Sequence, residues 1–523
     1  TDWLKLLTRT AIGHNHNVSV NGGTQRSSYT ASLGYNKTEG IEKGNDKERF
    51  SGRVRVGFEI SPTVKIDMSM NGSVEKTDAF NGAANPLTYA LNTSRAIPSH
   101  NPDGSLLFYK VRGEYRHNPA TKDNLTYNIL NELEHTSSQI RTPQFDANLS
   151  FKWQIVPELQ YEFVGGYQNL NRSTEVYAGE QSFYIKKKFR GYDVGEVTTF
   201  DPEYKAALLR FGGQLTTDNS QSESYNIQNK LVFSKTFNKD HRLNAMAAWE
   251  VRSIHKTGKY NTVWGYIQER GEAIVPPTTP EEFVPMNGGP DMTGWVAELF
   301  GGLYNGGTWK STNTTNNYLS AFATVAYSFR NRYVLNATFR NDVSHRFVQD
   351  TNKRFSPTFS FGAAWDMTEE DFMKESEEWL DLLKLRFTYG TQGNVLDNQG
   401  PEMILQKSVA SSIYGQFYSG ISRLANPLLK WERTHSWNVG LDLGMLKNRV
   451  TATFEYYGRK SNPVANGGVS PEYGIIGKSV PVHGTHIDNH GVEGTINVTA
   501  INKKDWTLSA SINLSKNWNT VTK

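Results

Sequence analysis

Apolar and polar residues alternate with a period of two over stretch after stretch of this chain. Between Phe50 and Ile60 one face carries Phe50, Gly52, Val54, Val56, Phe58 and Ile60, and the other carries Ser51, Arg53, Arg55, Gly57 and Glu59. After Ser61-Pro62 the pattern resumes, with Val64, Ile66, Met68 and Met70 set against Lys65, Asp67, Ser69 and Asn71. Phe145, Ala147, Leu149 and Phe151 oppose Asp146, Asn148, Ser150 and Lys152. Near the end, Trp506, Leu508, Ala510, Ile512 and Leu514 oppose Thr507, Ser509, Ser511, Asn513 and Ser515. Successive side chains on a strand point to opposite faces, so this period predicts strands with one oily and one wet face. Roughly sixteen such segments occur, most about ten residues long, the length a tilted strand needs to cross a bilayer. Asn229, between Ile227 and Leu231, is an exception on an apolar face.

A soluble β-sandwich also alternates, because its apolar face points at a second sheet. Strand length separates the two readings: soluble strands average about five or six residues, and many here are about twice that. The rhythm of the connections separates them further. Short turns are expected near Gly23–Ser27, Ser61–Pro62, Val156–Glu158, Asn238–His241, Arg330–Arg332, Leu446–Asn448 and Asn502–Asp505. Between them lie Gly40–Lys47, Asp78–Pro143, Ser173–Ser220, Ser253–Thr315, Val343–Lys353, Asn394–Glu432 and Ser461–Thr485. Strict alternation of short and long connections is the mark of an up-and-down barrel with turns at one end and loops at the other. The expected fold is therefore all-β, a transmembrane antiparallel up-and-down barrel. The whole chain, 1–523, is read as one partial barrel, with long extracellular loops at approximately 78–143, 173–220, 253–315, 394–432 and 461–485. One short-side connection is longer. There Thr368 to Asp371 resembles a capping box opening a helix, with Phe372, Met373, Trp379 and Leu380 as its apolar stripe and a structural cap over the barrel's rim as its role.

Arg53, Arg55, Glu59, Lys65, Asp67, Asp146, Lys152, Glu162 and Glu455 all fall on the polar side. Charges face lipid only at high cost, so that side must be a wet lumen or be packed by another polar domain. Composition agrees: 37% of the 523 residues are hydrophobic, and no run is apolar and long enough for a membrane helix. A net charge of +4 is small for this length and argues for no nucleic-acid partner. The absence of cysteine rules out disulfides, thiolate metal sites and a cysteine nucleophile. No signal peptide opens the sequence, so the chain is expected to be a piece of a longer, exported one.

Several stretches resemble the SusC/RagA-like group of TonB-dependent outer-membrane transporters from Bacteroidetes. They are HNHNVSVNGG followed by SYTASLGYNKTEG, RYVLNATFRNDVSHRF, FSFGAAWDMTEEDFMKESEEWLDLLKLRFTYGTQGN, NPLLKWERTHSWNVGLDLGMLKNRVTATFEYYGRKS and DNHGVEGTINV. They run in order from near the first residue into the last hundred. The resemblance implies a barrel of about twenty-two strands with a plugged lumen, a plug that carries a TonB-interacting segment, and a SusD-like surface lipoprotein that closes over the mouth as a lid. It implies import driven by the inner-membrane proton gradient through TonB, in a bacterial outer membrane whose lipid surrounds the wall. The sequence departs from that pattern at both ends. Plug, TonB-binding segment and first strand are expected to be missing, and the last strand is expected to end near Asn517, about five strands short of closure.

The long loops hold the candidate solute contacts: Tyr109, Tyr115 and Tyr127; Tyr260, Trp264, Tyr266, Trp295, Tyr304 and Trp309; and Tyr414, Phe417 and Tyr418. Aromatic faces beside Asn and Asp suit sugar rings, which are apolar on their C–H faces and hydroxylated at their rims. The competing explanation for each is that it packs one loop on another or docks the lid. Two histidine groups, His14 with His16 and His483, His486 and His490, lack a full set of ligands at metal-site spacing, so no metal and no cofactor is assigned. Lys186, Lys187, Lys188 and Arg190 would attract an anionic glycan or the headgroups of surface lipopolysaccharide, although a solvated loop charge run is the commoner explanation. No G-x-S-x-G, Walker or H-E-x-x-H motif is present, and no catalytic residue is assigned. The leading expectation is active import of an oligosaccharide, ahead of a peptide. The alternatives are a passive porin or surface adhesin on the same barrel, and a soluble β-rich glycan-binding protein.

Overall fold

The computed structural model describes residues 1–82, 84–112, 124–207, 209–277, 308–344, 355–394, 402–405, 409–410, 417–426, 429–468 and 479–522. Its main sheet has 17 strands. Strands β1 (Gly13–Gly23), β2 (Ser27–Glu39), β3 (Asp46–Ser61) and β4 (Val64–Ala79) open it. Then come β5 (Thr136–Val156), β6 (Leu159–Ala178), β7 (Gly213–Phe237), β8 (His241–Ile267), β9 (Trp309–Phe329) and β10 (Tyr333–Ser344). Strands β11 (Phe355–Asp366), β12 (Leu380–Asn394), β13 (Glu432–Met445), β14 (Val450–Asn462), β15 (His486–Asn502) and β16 (Thr507–Thr522) complete the wall. The remaining strand, Ala273–Ile274, folds back on β8. Every wall strand pairs antiparallel with its neighbour in the chain, from β1–β2 to β15–β16. This is the up-and-down order expected. Among the described residues the edges β1 and β16 do not pair with each other.

The register carries each polarity into continuous rows. Val20, Ala31, Val54, Met70 and Ala147 follow one another across β1 to β5. The next row toward the turns is Tyr29, Val56, Met68 and Leu149. A sandwich would bury these rows against a second sheet. Instead Leu33 is 71% exposed, Phe50 59% and Met70 53%, as expected of side chains that await lipid. Asn229 lies on this oily face with its Oδ1 taking a 2.5 Å hydrogen bond from the Tyr161 hydroxyl, so the exception is capped by an aromatic neighbour.

The seven short connections fall where the sequence places them. Three of them turn through left-handed backbone, at Asn238 (φ 49°) and Lys239 (φ 64°), at Arg330 (φ 51°) and Asn331 (φ 57°), and at Leu446 (φ 58°), Lys447 (φ 59°) and Asn448 (φ 56°), and each includes an asparagine, the best-suited residue there after glycine. Along this rim His241, Phe329, Tyr333 and Trp365 form a run of adjacent rings with centroids 4.8, 6.4 and 6.3 Å apart, the aromatic girdle of a membrane barrel.

Two expectations need correction. Thr368 caps no α-helix: it lies within a 3-10 turn, Met367–Glu369, and its hydroxyl donates to Asp366. A second 3-10 turn, Asp371–Ser376, follows. The expected apolar stripe fails as well, because Phe372 is 67% exposed and Trp379 50%, while Leu380 is buried. The N–H groups of Glu370, Met373 and Glu377 bond the carbonyls three residues back, at Met367, Glu370 and Lys374, so the backbone winds as tight 3-10 turns and not as an α-helix. It is held by Glu370, whose carboxylate accepts from the Tyr333 hydroxyl, from Trp365 Nε1 at 3.1 Å and from Arg332 Nη1 at 3.1 Å. The Tyr333 hydrogen bond above all holds the Glu370 carboxyl below its ordinary value. A lowered folded pKa supplies stability above the unfolded value of 4.5 that is lost as pH falls through the folded one. Acidification below that point should therefore loosen this rim, and Glu370→Gln should remove that pH dependence. Hydrogen exchange of residues 367–379 against pH reads it; identical profiles for the two proteins would refute it.

The second correction concerns loop bounds. Three of the long connections are shorter than expected, because β4 continues to Ala79, β5 already starts at Thr136, β6 runs to Ala178, β7 already starts at Gly213 and β8 runs to Ile267. The 27 residues of β8 extend about 90 Å at the usual rise per residue, far more than a bilayer needs.

Candidate functional site

The inner face of the wall is a ladder of cross-strand ion pairs. Lys65 meets Glu59 at 3.4 Å, Arg55 meets Asp67 at 3.4 Å, and Glu162 on β6 is shared by Lys152 at 3.9 Å and Lys230 at 3.6 Å. On β10, Arg340 Nε grips Asp342 at 2.8 and 2.9 Å and its Nη2 donates to Ser320 at 3.0 Å. Arg386 on β12 grips both oxygens of Asp442 at 2.7 and 2.9 Å and reaches Glu455 at 2.9 Å. Asn438 and Thr453 donate to the same two carboxylates at 3.3 and 3.2 Å. This face is wet and paired along the sheet, and a hydroxylated or amide-bearing solute finds hydrogen-bonding groups along it.

At the end of the long connections the chain builds a packed mouth. Helix α1 (Trp3–Leu7) lies against α2 (Pro86–Asn92) and α3 (Ile129–His135), with Trp3, Leu7, Ala84, Ala90 and Ile129 buried together. Asn85 caps α2 through the Thr88 N–H at 3.0 Å, and Asn128 caps α3 through the Leu130 N–H at 2.8 Å. Asn128 also donates to the carbonyls of Ser99 and Leu107 at 3.1 and 2.8 Å, tying the connection to itself. A second core joins Ala178, Ile185, Phe189 and Leu209 to Trp264.

The candidate aromatics divide on this framework. Trp264 is a core residue, 8% exposed, and Tyr127 packs between Tyr89 and Phe183 at 5.9 and 5.1 Å. Tyr266 sits edge-on to Tyr177 at 5.7 Å. These three converge on the segment from Tyr177 to Arg190 and hold the mouth together. Tyr109 pairs with Tyr127 in a small hairpin, and its hydroxyl donates to the Pro98 carbonyl. Tyr260 stands half-buried on β8 with its hydroxyl accepting from Thr262 at 3.0 Å. Trp309 begins β9 opposite Asn261 and is 60% exposed. Tyr260, Trp264, Tyr266 and Trp309 are thus wall residues, where the sequence placed them in a loop. Phe417–Tyr418 pairs with Val409–Ala410. Tyr115, Trp295, Tyr304 and Tyr414 lie outside the described residues.

The charge run at Lys186 is also corrected. Lys186 and Arg190 point inward: Lys186 Nζ is 2.7 Å from Asp193 Oδ1, with both side chains 8% exposed. Arg190 is buried on the carbonyls of Glu180, Leu209 and Gly212 at 2.6, 3.3 and 3.3 Å. Thr126 N–H donates to Asp193 at 3.0 Å, so this network joins two long connections. Burial pushes the Glu132 carboxyl above its ordinary value although Phe183 N–H binds it. The helical spacing of Lys186 and Arg190 around buried Phe189 is the one signal that could have marked them as internal. The histidines find other partners: His14 lies 5.3 Å from His16 and 5.9 Å from Tyr35, His490 stacks on Trp518 at 5.3 Å, and His483 bonds the Lys430 backbone. Among the described residues no group of three His, Cys, Asp or Glu is placed to hold a metal ion.

The model of the family described as TonB dependent receptor-like, beta-barrel, matches residues 69–522. This chain belongs to that family. The TonB-dependent receptor SusC of Bacteroides thetaiotaomicron is 27% identical across 100% of this chain and 48% of its own length. The TonB-dependent receptor P3 of Formosa agariphila is 23% identical across 100% of this chain and 47% of its own. The solved RagAB peptide importer in its open-open state shares the fold, with a TM-score of 0.75 at 21% identity over 100% of this chain and 52% of that one. The chain spans about half the length of the curated relatives it matches. Members of the TonB-dependent receptor family are outer-membrane β-barrels, so the oily rows of this wall meet lipid and the ion-pair ladder lines the interior.

Proposed function

We propose that this chain forms most of the wall of a TonB-dependent importer that takes up an oligosaccharide, with a peptide as the second solute class. The observation that carries the proposal is the paired polar inner face beneath a rigid mouth. The sequence likeness to SusC favours a glycan, and the fold likeness to a peptide importer keeps the second class in play. The long connections face outward, a SusD-like lipoprotein closes on the mouth, and TonB supplies the drive through a plug. Of the candidate aromatics, Tyr260 on the inner wall and Tyr109 at the rim retain surface for a solute, whereas Trp309, directly opposite Asn261, stands on the outer side of the wall. Tyr127 and Trp264 serve packing.

Deleting the gene should abolish growth on one glycan as sole carbon source while growth on its free monosaccharide is unchanged. Undiminished growth of the deletion strain on every oligosaccharide supplied, with growth lost on a protein hydrolysate, would transfer the role to peptides. Undiminished growth on both would overturn import. A deletion phenotype that persists when TonB is absent from both strains would favour a passive pore.

A further inference from the structure

Above the lipid the inner face of the wall carries cations without matching acids. Glu162 and Lys230 show which side chains of β6 and β7 point inward. The same parity runs unbroken up to Arg172, Ser220, Gly258 and Thr312, one row across β6 to β9. Lys256 stands one inward position below Gly258 on β8, and Lys310 one above Thr312 on β9. At this level the outward face has turned polar, with Asn219, Thr257 and Asn313, so the row lies beyond the bilayer and beside the mouth. The ladder below pairs its cations with carboxylates. Arg172, Lys256 and Lys310 are instead exposed and make no hydrogen bond or ion pair among the described residues.

Acids are scarce around them. The inward positions of these four strands, within 166–176, 216–226, 252–262 and 308–318, hold a single carboxylate, Asp218, against four cations. The fourth cation is Arg252, whose guanidinium lies 4.8 Å from the Tyr318 ring. The nearest other inward acids, Asp146 on β5 and Glu250 on β8, sit lower and accept from Gln168 at 2.8 Å and Gln228 at 3.2 Å. Glu175 and Glu223 point to the other side of the wall. The middle of the row is open. Gly258 has no positive φ that would demand glycine, and a Cβ there would lie 2.5 Å from Thr312 Oγ1. Its absence lets that hydroxyl lean over the strand between the cations, and glycine inside a strand marks a place where a ligand comes close. Strand spacing and rise set the α-carbons of Arg172, Lys256 and Lys310 about 12–16 Å apart. One carboxylate cannot join them, whereas a chain with several acid groups can.

We propose that the solute is acidic: an oligosaccharide whose carboxylate or sulfate groups bind Arg172, Lys256 and Lys310 while its hydroxyls bond Ser220, Ser222 and Thr312. This rests on the import reading above and narrows its solute class. A concave wall lined by one sign of charge raises the local concentration of its counter-ion and speeds its capture. Bonds from guanidinium or ammonium to an acid group are about twice as strong as neutral ones. The floor between the cations offers hydroxyls in place of an apolar pocket for side chains, which favours a sugar chain over an acidic peptide.

The test is binding of the full-length protein, purified in detergent, to an array of neutral and acidic oligosaccharides. The neutral members are malto-, xylo- and manno-oligosaccharides. The acidic ones are oligogalacturonate, oligomannuronate and chondroitin sulfate fragments, with oligoglutamate as the peptide comparison. An acidic oligosaccharide should bind more tightly than any neutral one, and the more weakly the higher the salt. Its affinity should fall at least about tenfold in the triple variant Arg172→Gln, Lys256→Gln, Lys310→Gln, and should rise in Asp218→Asn. All four side chains are exposed, and the opposite signs separate a charge effect from a damaged barrel. Binding of neutral members alone, no binding at all, or equal affinity of the acidic member for the wild type and the triple variant would overturn the assignment. Tighter binding of oligoglutamate would overturn the sugar and give the cations to an acidic peptide. Growth of the deletion strain reads import separately. A defect confined to a neutral glycan keeps import and overturns the acidic solute, whereas no defect beside a positive array overturns import and leaves the binding wall.

Discussion

Arginine in place of Val54 should destabilise the folded wall by about 2–4 kcal/mol, the effect of a cation on the lipid face near mid-membrane. Val54 lies at the middle of β3, 49% exposed, between Ala31 and Met70 in a row of oily side chains. A guanidinium there has no partner and no water within reach, and it either drags solvent in or empties the folded state. The matching control is Ser150→Arg on β5, which faces inward opposite Asp67. There the guanidinium meets a carboxylate in a wet lumen, where an exposed pair is worth about 0–1 kcal/mol, so little change is expected. Urea titration of both variants in liposomes separates them. Equal losses, or a larger loss for Ser150→Arg, would mean that the two faces have been assigned the wrong way round.

This contrast also explains what could be read from the chain before any coordinates. Lipid on one side and water on the other impose a period of two, and wherever that asymmetry acts the strands and their turns were legible, down to Asn238 and Arg330. Above the lipid both faces are wet. On β7 and β8 the outward positions become Asn219, Gln221 and Glu223, then His255, Thr257 and Lys259, and the apolar signal vanishes although the pairing continues. That is why Tyr260, Trp264 and Tyr266 looked like loop residues. The mouth core was not legible for a different reason. One core joins Trp3 to Ile129, 126 residues further on, and the other joins Phe189 to Trp264, 75 residues further on, and no local period reports such long-range packing. The internal roles of Lys186 and Arg190 were hidden because their partners are backbone carbonyls and the Asp193 carboxylate, seven residues beyond Lys186, and only the fold turns these groups inward together.

Trp264→Ala should disrupt the mouth while leaving the wall intact. The ring of Trp264 packs with Ala178, Ile185, Phe189 and Leu209, and truncating a buried tryptophan costs about 3–5 kcal/mol through lost burial and the cavity left behind. The segment that rests on that core, Phe183–Arg190, should lose amide protection. Amides of β8 below Val251 should keep theirs, since the ladders with β7 and β9 do not depend on the ring. Trp264→Phe should restore most of the protection, because Nε1 of Trp264 has no hydrogen-bond partner among the described residues. Solute uptake should fall in the alanine variant as a consequence of the disordered mouth and recover in the phenylalanine variant. Unchanged exchange in Trp264→Ala combined with weakened solute binding would instead make Trp264 a stacking platform for the solute, and would return it to the role that its sequence context alone had suggested.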